Sequence, residues 1–459
     1  MTAKIKSQYK SIEDAFISNF KITAGDLLNK KALHIKISSK EQLQNLNSSQ
    51  FRCPIKITES YKIKEPNFHV NLFKITAKYK SFINFPLSKN LKWNKLKLFT
   101  NHFELISYNN QNLNIQPLIK YNPLSRAYFK LYELIINYNL IDNKKENIRY
   151  AGLAEGPGGF VECFINYRNH DNIYYNDQFK DDVYCITLKS DDEYVPGWDK
   201  IDQFMSKIRH NKHIENVNLS LLYGADGTGN LYRRKNIEDF IEKSTKNGKM
   251  DLVTADGGLD YSTNFNYQEQ MSLQLIFCEI VTALGILKKG GHFVIKIFDI
   301  HTNITLQYIY LLSNIFEEVI INKPYTSRPA NSEKYIVCKN YLGFQPKNKT
   351  TDTEKSNSFY NMLLDIVDKW DIITQKGRYI DSIFAIKAPP YFKKNIMNYI
   401  NYLSKLQIEN ILQTLLCRDF NKQQIDSLLR TQISHTLYWA ICYNQPINYK
   451  SDFFKAFKS

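Results

Sequence analysis

The sequence predicts an α/β protein with a doubly wound parallel sheet, preceded by a basic α+β region and followed by a helical one. Three observations lead there. Between about residues 125 and 341, short apolar runs alternate with segments of helical period. A Gly-Pro-Gly-Gly turn joins one such strand to one such helix. Charge is also zoned: residues 1–120 hold 20 basic and 7 acidic side chains, residues 121–345 hold 25 and 28, and residues 346–459 hold 16 and 10. The 459 residues have material for several domains, and the boundaries are expected at 1–115, 116–345 and 346–459.

In the first region residues 9–20 have helical spacing, whereas 66-PNFHVNLFKITAKY reads as β-like. From Ser125, RAYFKLYELIINYNL spaces its apolar residues for a helix, with Ser125 as N-cap. A strand over 148–153, the Gly-rich turn, a helix over 159–167 and a strand over 182–188 follow. Next come the strand 251-DLVTAD, a helix from about 267 to 287, a KKGG turn, the strand 292-HFVIKIF, another helix and the strand 334-KYIVCKN. The polar stretch 345-QPKNKTTDTEKSNS reads as a linker, and helices are expected over 359–370, 393–415 and 423–443.

Composition narrows the function. A net charge of +16 with 31 Tyr and 28 Phe favours a nucleic-acid partner, with cations for phosphates and flat rings for bases. No apolar run reaches the ~18–20 residues of a membrane span, and MTAKIKSQYK lacks the apolar stretch of a signal peptide, so a soluble protein without membrane contact is expected. The seven cysteines stand singly without a C-x-x-C pair and read as reduced core thiols; no metal is expected.

Gly156, Pro157, Gly158 and Gly159 lie where missing Cβ atoms let a ligand approach a helix N-terminus, and no G-x-x-x-x-G-K-[ST] pattern is present. Asp256 closes DLVTAD, Lys296 interrupts the apolar FVIKIF, Glu333 opens EKYIV, and Lys130 stands on the helix before the first strand. Together, SRAYFKL, AEGPGGF, DLVTADGG, GGHFVIKIF and SEKYIVCK resemble, in unbroken order over residues 120–345, the motifs of the FtsJ-type RNA ribose 2′-O-methyltransferases. Within that family ADGG, GGHFVIKIFD and KPYTSRPANSEKYIVCKN are most similar to the enzymes of eukaryotes and large DNA viruses that methylate the first transcribed nucleotide of capped mRNA.

The resemblance implies a Rossmann-like methyltransferase sheet, S-adenosyl-L-methionine as cofactor and capped mRNA as substrate, giving cap-1 RNA. It implies a catalytic tetrad of Lys130, Asp256, Lys296 and Glu333. Ala154, Glu155, Gly156, Pro157, Gly158, Gly159 and Phe160 would meet the methionine portion, Asp226 and Gly227 the adenine, with Asp256 near the sulfonium. Ser125, Asn266, Arg328 and Asn331 would contact the RNA. Lys296 would act as base or orient the 2′-OH, and Lys130 beside it would lower its pKa by repulsion, against the carboxylates that raise it.

One departure stands out: where the family often has an Asp two residues into the loop strand, this chain has Gly152, with Glu155 inside the turn. Cofactor contacts are expected to be rearranged accordingly. The acid for the cofactor ribose stays open between Asp191 and Asp192. The alternatives are a ribosomal or transfer RNA 2′-O-methyltransferase, and a catalytically silent RNA-binding capping subunit. Other capping enzymes or RNA polymerase are the expected partners. The expected setting is cytoplasmic, at a viral replication site or in a virion, or nuclear for a cellular protein.

Overall fold

The computed structural model describes residues 67–81, 83, 87–107, 117–169, 180–192, 195–198, 201, 205, 217–261, 265–343, 352–384 and 388–457, and two short strands before them. The helix expected over 9–20 lies outside the described residues.

The strands are β1 (His34–Lys36), β2 (Ile55–Ser60), β3 (Arg149–Leu153), β4 (Asp181–Ile186), β5 (Val217–Leu222), β6 (Met250–Ala255), β7 (Leu287–Ile297), β8 (Phe316–Asn322), β9 (Lys334–Tyr341) and β10 (Tyr379–Phe384). The helices are α1 (Val70–Lys80), α2 (Leu87–Thr100), α3 (Ala127–Tyr138), α4 (Gly159–Asn169), α5 (Arg234–Thr245), α6 (Gln268–Ile286), α7 (Asn303–Ile315), α8 (Asp352–Gln375), α9 (Pro390–Leu416) and α10 (Lys422–Cys442).

Eight strands form the main sheet in the order β1-β8-β9-β7-β6-β3-β4-β5. β5, β4, β3, β6 and β7 are mutually parallel, as expected. The expectation of a wholly parallel sheet fails at β9, which enters antiparallel between β7 and β8, and at β1, which is antiparallel to β8. The reason is the connection: the loop from β8 to β9 carries no crossover helix, so the chain returns in the opposite direction. The fold is Rossmann-like, with its order reversing at β3.

α3 and α4 cover one face, where Phe129, Phe160, Phe164 and Trp439 are buried. α5, α6, α7 and α8 cover the other over Phe277, Phe293, Ile295 and Trp370. The segment Phe265–Ile286, containing α6, is long and apolar enough to cross a membrane, but 78% of its apolar window is enclosed by protein. Its apolarity is that of a helix buried all round.

Local predictions fail where packing overrides them. The β-like run at 66 is α1, because Leu72, Phe73, Thr76 and Lys80 form one buried helical face, with Phe73 on Tyr267 and His301 and Lys80 on Asp299, while the helix also packs on α9. The KKGG turn is absorbed into β7, with a register shift near Gly290, whose φ is 79°. The linker at 345 partly belongs to α8, and β5, β8 and β10 went unforeseen. Of the described cysteines, Cys442 is exposed rather than a core thiol.

The first part of the chain is tied to the last and, through an ion pair, to the middle. β2 pairs with β10, and α1 and α2 pack on α9. Lys80 reaches buried Asp299 at 2.5 Å, just beyond β7.

Candidate active site

In parallel α/β sheets, loops converge at the carboxyl ends of the strands where the order reverses. The four scattered polar residues meet there as two ion pairs. Lys296 Nζ donates to the Asp256 carbonyl at 2.7 Å and lies 3.2 Å from Asp256 Oδ1. Lys130 Nζ, from α3, donates to Glu333 at 2.8 Å. Tyr335 lies opposite Lys296 in the sheet register, and its hydroxyl donates to Asp256 Oδ1 at 2.8 Å.

The pairs share one field. Burial alone would raise the Glu333 pKa, yet Lys130 and Lys296 outweigh it and hold the carboxylate well below the ordinary range. At Lys296 the balance between repulsion and the neighbouring carboxylates, which the sequence leaves open, falls on the side of the carboxylates. Burial lowers its pKa, but Asp256 and Glu333 exceed it, and the pKa is raised.

The Gly-rich turn closes tightly between β3 and α4. Gly158 has φ 104°, and a Cβ there would strike Ile201; one at Gly159 would strike Ser125 Oγ. Ala154 is left-handed, with φ 53°, and the Gly156–Pro157 peptide is cis. Phe160 is buried at the start of α4, against Tyr335. Glu155 folds back into the protein, where it accepts from the Tyr150 hydroxyl at 3.1 Å and from the Thr254 hydroxyl. Burial, then the neighbouring Asp256 and Glu279, push its pKa well up.

Asp226 and Gly227 lie in the turn after β5, which packs on the end of β4 through the Lys189 N–H to Thr228 carbonyl bond of 2.8 Å. Asp226 accepts from the Thr228 N–H and hydroxyl, from Asn236 and from Arg233, so its carboxylate is already engaged. Beside Gly227 the space is open. Asp191 and Asp192 are both exposed after β4.

Ser125 does not cap α3 with its side chain. Arg126 occupies that position and Ser125 Oγ faces Gly159 with no hydrogen-bond partner. Asn266 is half-buried in the turn Phe265–Tyr267 leading into α6. Arg328 is held by Glu104 at 2.9 and 3.1 Å, and Glu104 also pairs with Arg126 at 2.8 Å. Asn331 turns its carbonyl oxygen inward to Lys323 at 2.9 Å.

The FtsJ-like methyltransferase family matches residues 123–341, the span that contains the parallel strands and both ion pairs. Residues 123–341 are an FtsJ-like methyltransferase domain. The chain is 31% identical over 287 residues to cap-specific mRNA (nucleoside-2′-O-)-methyltransferase 1 of Dictyostelium discoideum, covering 58% of this chain and 36% of that protein. It is 35% identical over 217 residues to cap-specific mRNA (nucleoside-2′-O-)-methyltransferase 2 of Drosophila melanogaster, covering 47% and 29%. The chain thus spans about a third of the length of these relatives. Among solved structures, a putative ribosomal RNA methyltransferase from Plasmodium falciparum has a TM-score of 0.33 at 21% identity, covering 48% of this chain and 99% of that one.

The cofactor of this methyltransferase domain is S-adenosyl-L-methionine, and the residues present fit it. The N-terminal end of α4 suits a carboxylate. Asp256 suits a cation, and the open side of Gly227 leaves room for a planar base. The engaged Asp226 carboxylate shapes that turn.

Three residues of the domain were not anticipated from sequence. Tyr335 stands in SEKYIVCK but reads as an ordinary strand aromatic. Glu279 on α6 accepts the Gly257 N–H at 3.1 Å, and burial raises its pKa to about 8. Lys323 is buried just after β8. The only sequence signal for Glu279 or Lys323 was a charge set in an apolar run.

Proposed function

We propose that the protein methylates the ribose 2′-OH of the first transcribed nucleotide of capped mRNA. The observation that carries this reading is the coupling of Lys296–Asp256 with Lys130–Glu333 at the sheet's switch point. The extended likeness to cap-specific relatives supports the capped substrate.

When bound, S-adenosyl-L-methionine supplies an electrophilic methyl group. The chain's own task is to orient the 2′-oxygen and manage the proton it loses. The raised pKa of Lys296 favours a charged donor that holds the 2′-oxygen and stabilises negative charge growing there as the O–H bond weakens, the proton passing to solvent water and not to Lys296. Asp256, oriented by Tyr335, aims Lys296. Glu333 and Lys130 complete a nearly neutral set, so one further negative charge is met by two ammonium groups. The exposed lysines of α1 and α2 would guide the RNA toward this site.

The test is methyl transfer to matched capped and uncapped transcripts, with nuclease digestion to locate the label. Label on the 2′-oxygen of the first nucleotide of capped RNA alone is expected. Equal labelling of both transcripts rejects the cap assignment, and RNA binding without turnover rejects the enzyme.

A further inference from the structure

Lys323 has no place in the tetrad, yet its ammonium is buried beside it. It donates to four oxygens: Ser327 Oγ at 3.2 Å, the Asn331 carbonyl at 3.0 Å, Asn331 Oδ1 at 2.9 Å and the Glu333 carbonyl at 2.9 Å. All four are uncharged and all belong to the loop that returns from β8 to β9. An ammonium has three protons, so four close acceptors exhaust it. A buried cation held only by neutral oxygens is costly, and an apolar side chain of similar length would avoid that cost.

What the arrangement secures is the loop. Ser327 accepts from Lys323 and donates to Glu333 Oε1 at 2.9 Å, while Lys130 donates to the same carboxylate. Lys323 thus acts on Glu333 twice, through its backbone carbonyl and through Ser327. Other elements hold the outer side. Glu133, one turn after Lys130 on α3, accepts the Tyr325 and Thr326 N–H groups at 2.7 and 2.8 Å. Gln407 of α9 donates to the Ala330 carbonyl at 2.9 Å. Those outer bonds anchor the loop from outside, while Lys323 gathers Ser327, Asn331 and Glu333 around one ammonium.

We propose that Lys323 is a positioning residue, whose buried ammonium fixes the 324–333 loop and so sets the Glu333 carboxylate against Lys130. The proposal rests on the reading of Glu333 and Lys130 as part of the methyl-transfer machinery. The charged groups facing Lys323 are Lys334 and Glu333 on and before β9, Lys130 on α3 and Asp299 beyond β7. Burial lowers its pKa most, Lys334 and Lys130 lower it further, and Glu333 and Asp299 only partly restore it, leaving it at about 7.

The test compares full-length wild type, Lys323→Met and Lys323→Arg by amide hydrogen exchange, thermal melting and methyl transfer. In Lys323→Met, exchange across 324–333 should quicken by about tenfold while the sheet strands are unchanged. Tm should be equal or higher, most clearly below pH 7, because the native state no longer buries a cation that the unfolded chain holds freely. Turnover should fall by about 10- to 100-fold, with unchanged S-adenosylhomocysteine affinity, through misplacement of Glu333. The wild-type to Lys323→Met rate ratio should shrink from pH 6 to pH 9 as wild type loses the proton, and Lys323→Arg should recover part of the rate.

Unchanged exchange in the loop overturns the proposal, whatever the activity. So does faster exchange with undiminished turnover, or a fall in turnover matched by a general loss of Tm. If wild type transfers no methyl group, the proposed function fails by itself, and the exchange comparison still decides whether Lys323 orders the loop.

Discussion

Glu155 fills the place of the side chain that Gly152 lacks: a Cβ built at Gly152 would come within 2.6 Å of Glu155 Oε2. A carboxyl arriving from the turn therefore occupies the ground a strand side chain would take, between Tyr150 and Thr254. The two positions are one steric unit. Gly152→Asp alone should destabilise the protein by about 2–4 kcal/mol, through overpacking and two carboxyls in one buried site. Gly152→Asp with Glu155→Ala should recover most of that loss, and denaturant melts of the two variants check it. Equal destabilisation in both would separate the positions.

Lys296→Ala should reduce methyl transfer by about 10²–10⁴-fold, since it removes the cation paired with Asp256 and one of three cations that act on Glu333. S-adenosylhomocysteine affinity, measured by calorimetry, should stay within about threefold, because the Gly-rich turn does not depend on Lys296. Tyr335→Phe should give a smaller loss, since Asp256 keeps its lysine.

Glu279 supplies a pH test. Its folded pKa of about 8 lies above the ordinary carboxyl value, so the native state holds this proton more tightly than the unfolded chain does. Stability from this group is therefore lost as pH rises through the interval up to about 8. Glu279→Gln, which can still accept the Gly257 N–H, should melt with wild type near pH 5 and ~2–4 °C above it at pH 9. A gap that is constant with pH would remove Glu279 as its source.

Glu104 is buried between Arg126 and Arg328 and also accepts from Asn101 at 2.6 Å. Its pKa is depressed: burial raises it, and the Arg328 hydrogen bond and the Arg126 charge prevail. Glu104→Gln should cost about 3 kcal/mol, since it leaves two guanidinium groups without their carboxylate. Chemical denaturation checks this value.

The basic N-terminal residues are better tested by substitution than by truncation, because Lys80, Glu104 and β1 are built into the methyltransferase layers. Lys74, Lys78 and Lys95 are exposed on α1 and α2. Replacing each with Gln should lower the salt dependence of RNA binding by about one unit of slope for every phosphate no longer neutralised. An unchanged slope in the triple variant would exclude these helices from the RNA path.

The pattern of residues alone determined four of the five parallel strands and the helices between them, and the resemblance of its motifs to a known family singled out the four clustered side chains. Those features are local: an apolar period, a Gly-rich turn and a charge inside an apolar run can be read within a few residues. Tertiary structure decided what depends on partners distant in sequence. β9 runs antiparallel because its return loop has no crossover helix. Residues 70–80 are a helix because α9, Tyr267 and His301 together cover its apolar side. Lys296 is held charged because Asp256 and Glu333 together outweigh its burial. A lysine's field, like a strand's direction, is a sum over neighbours that the linear order does not place side by side.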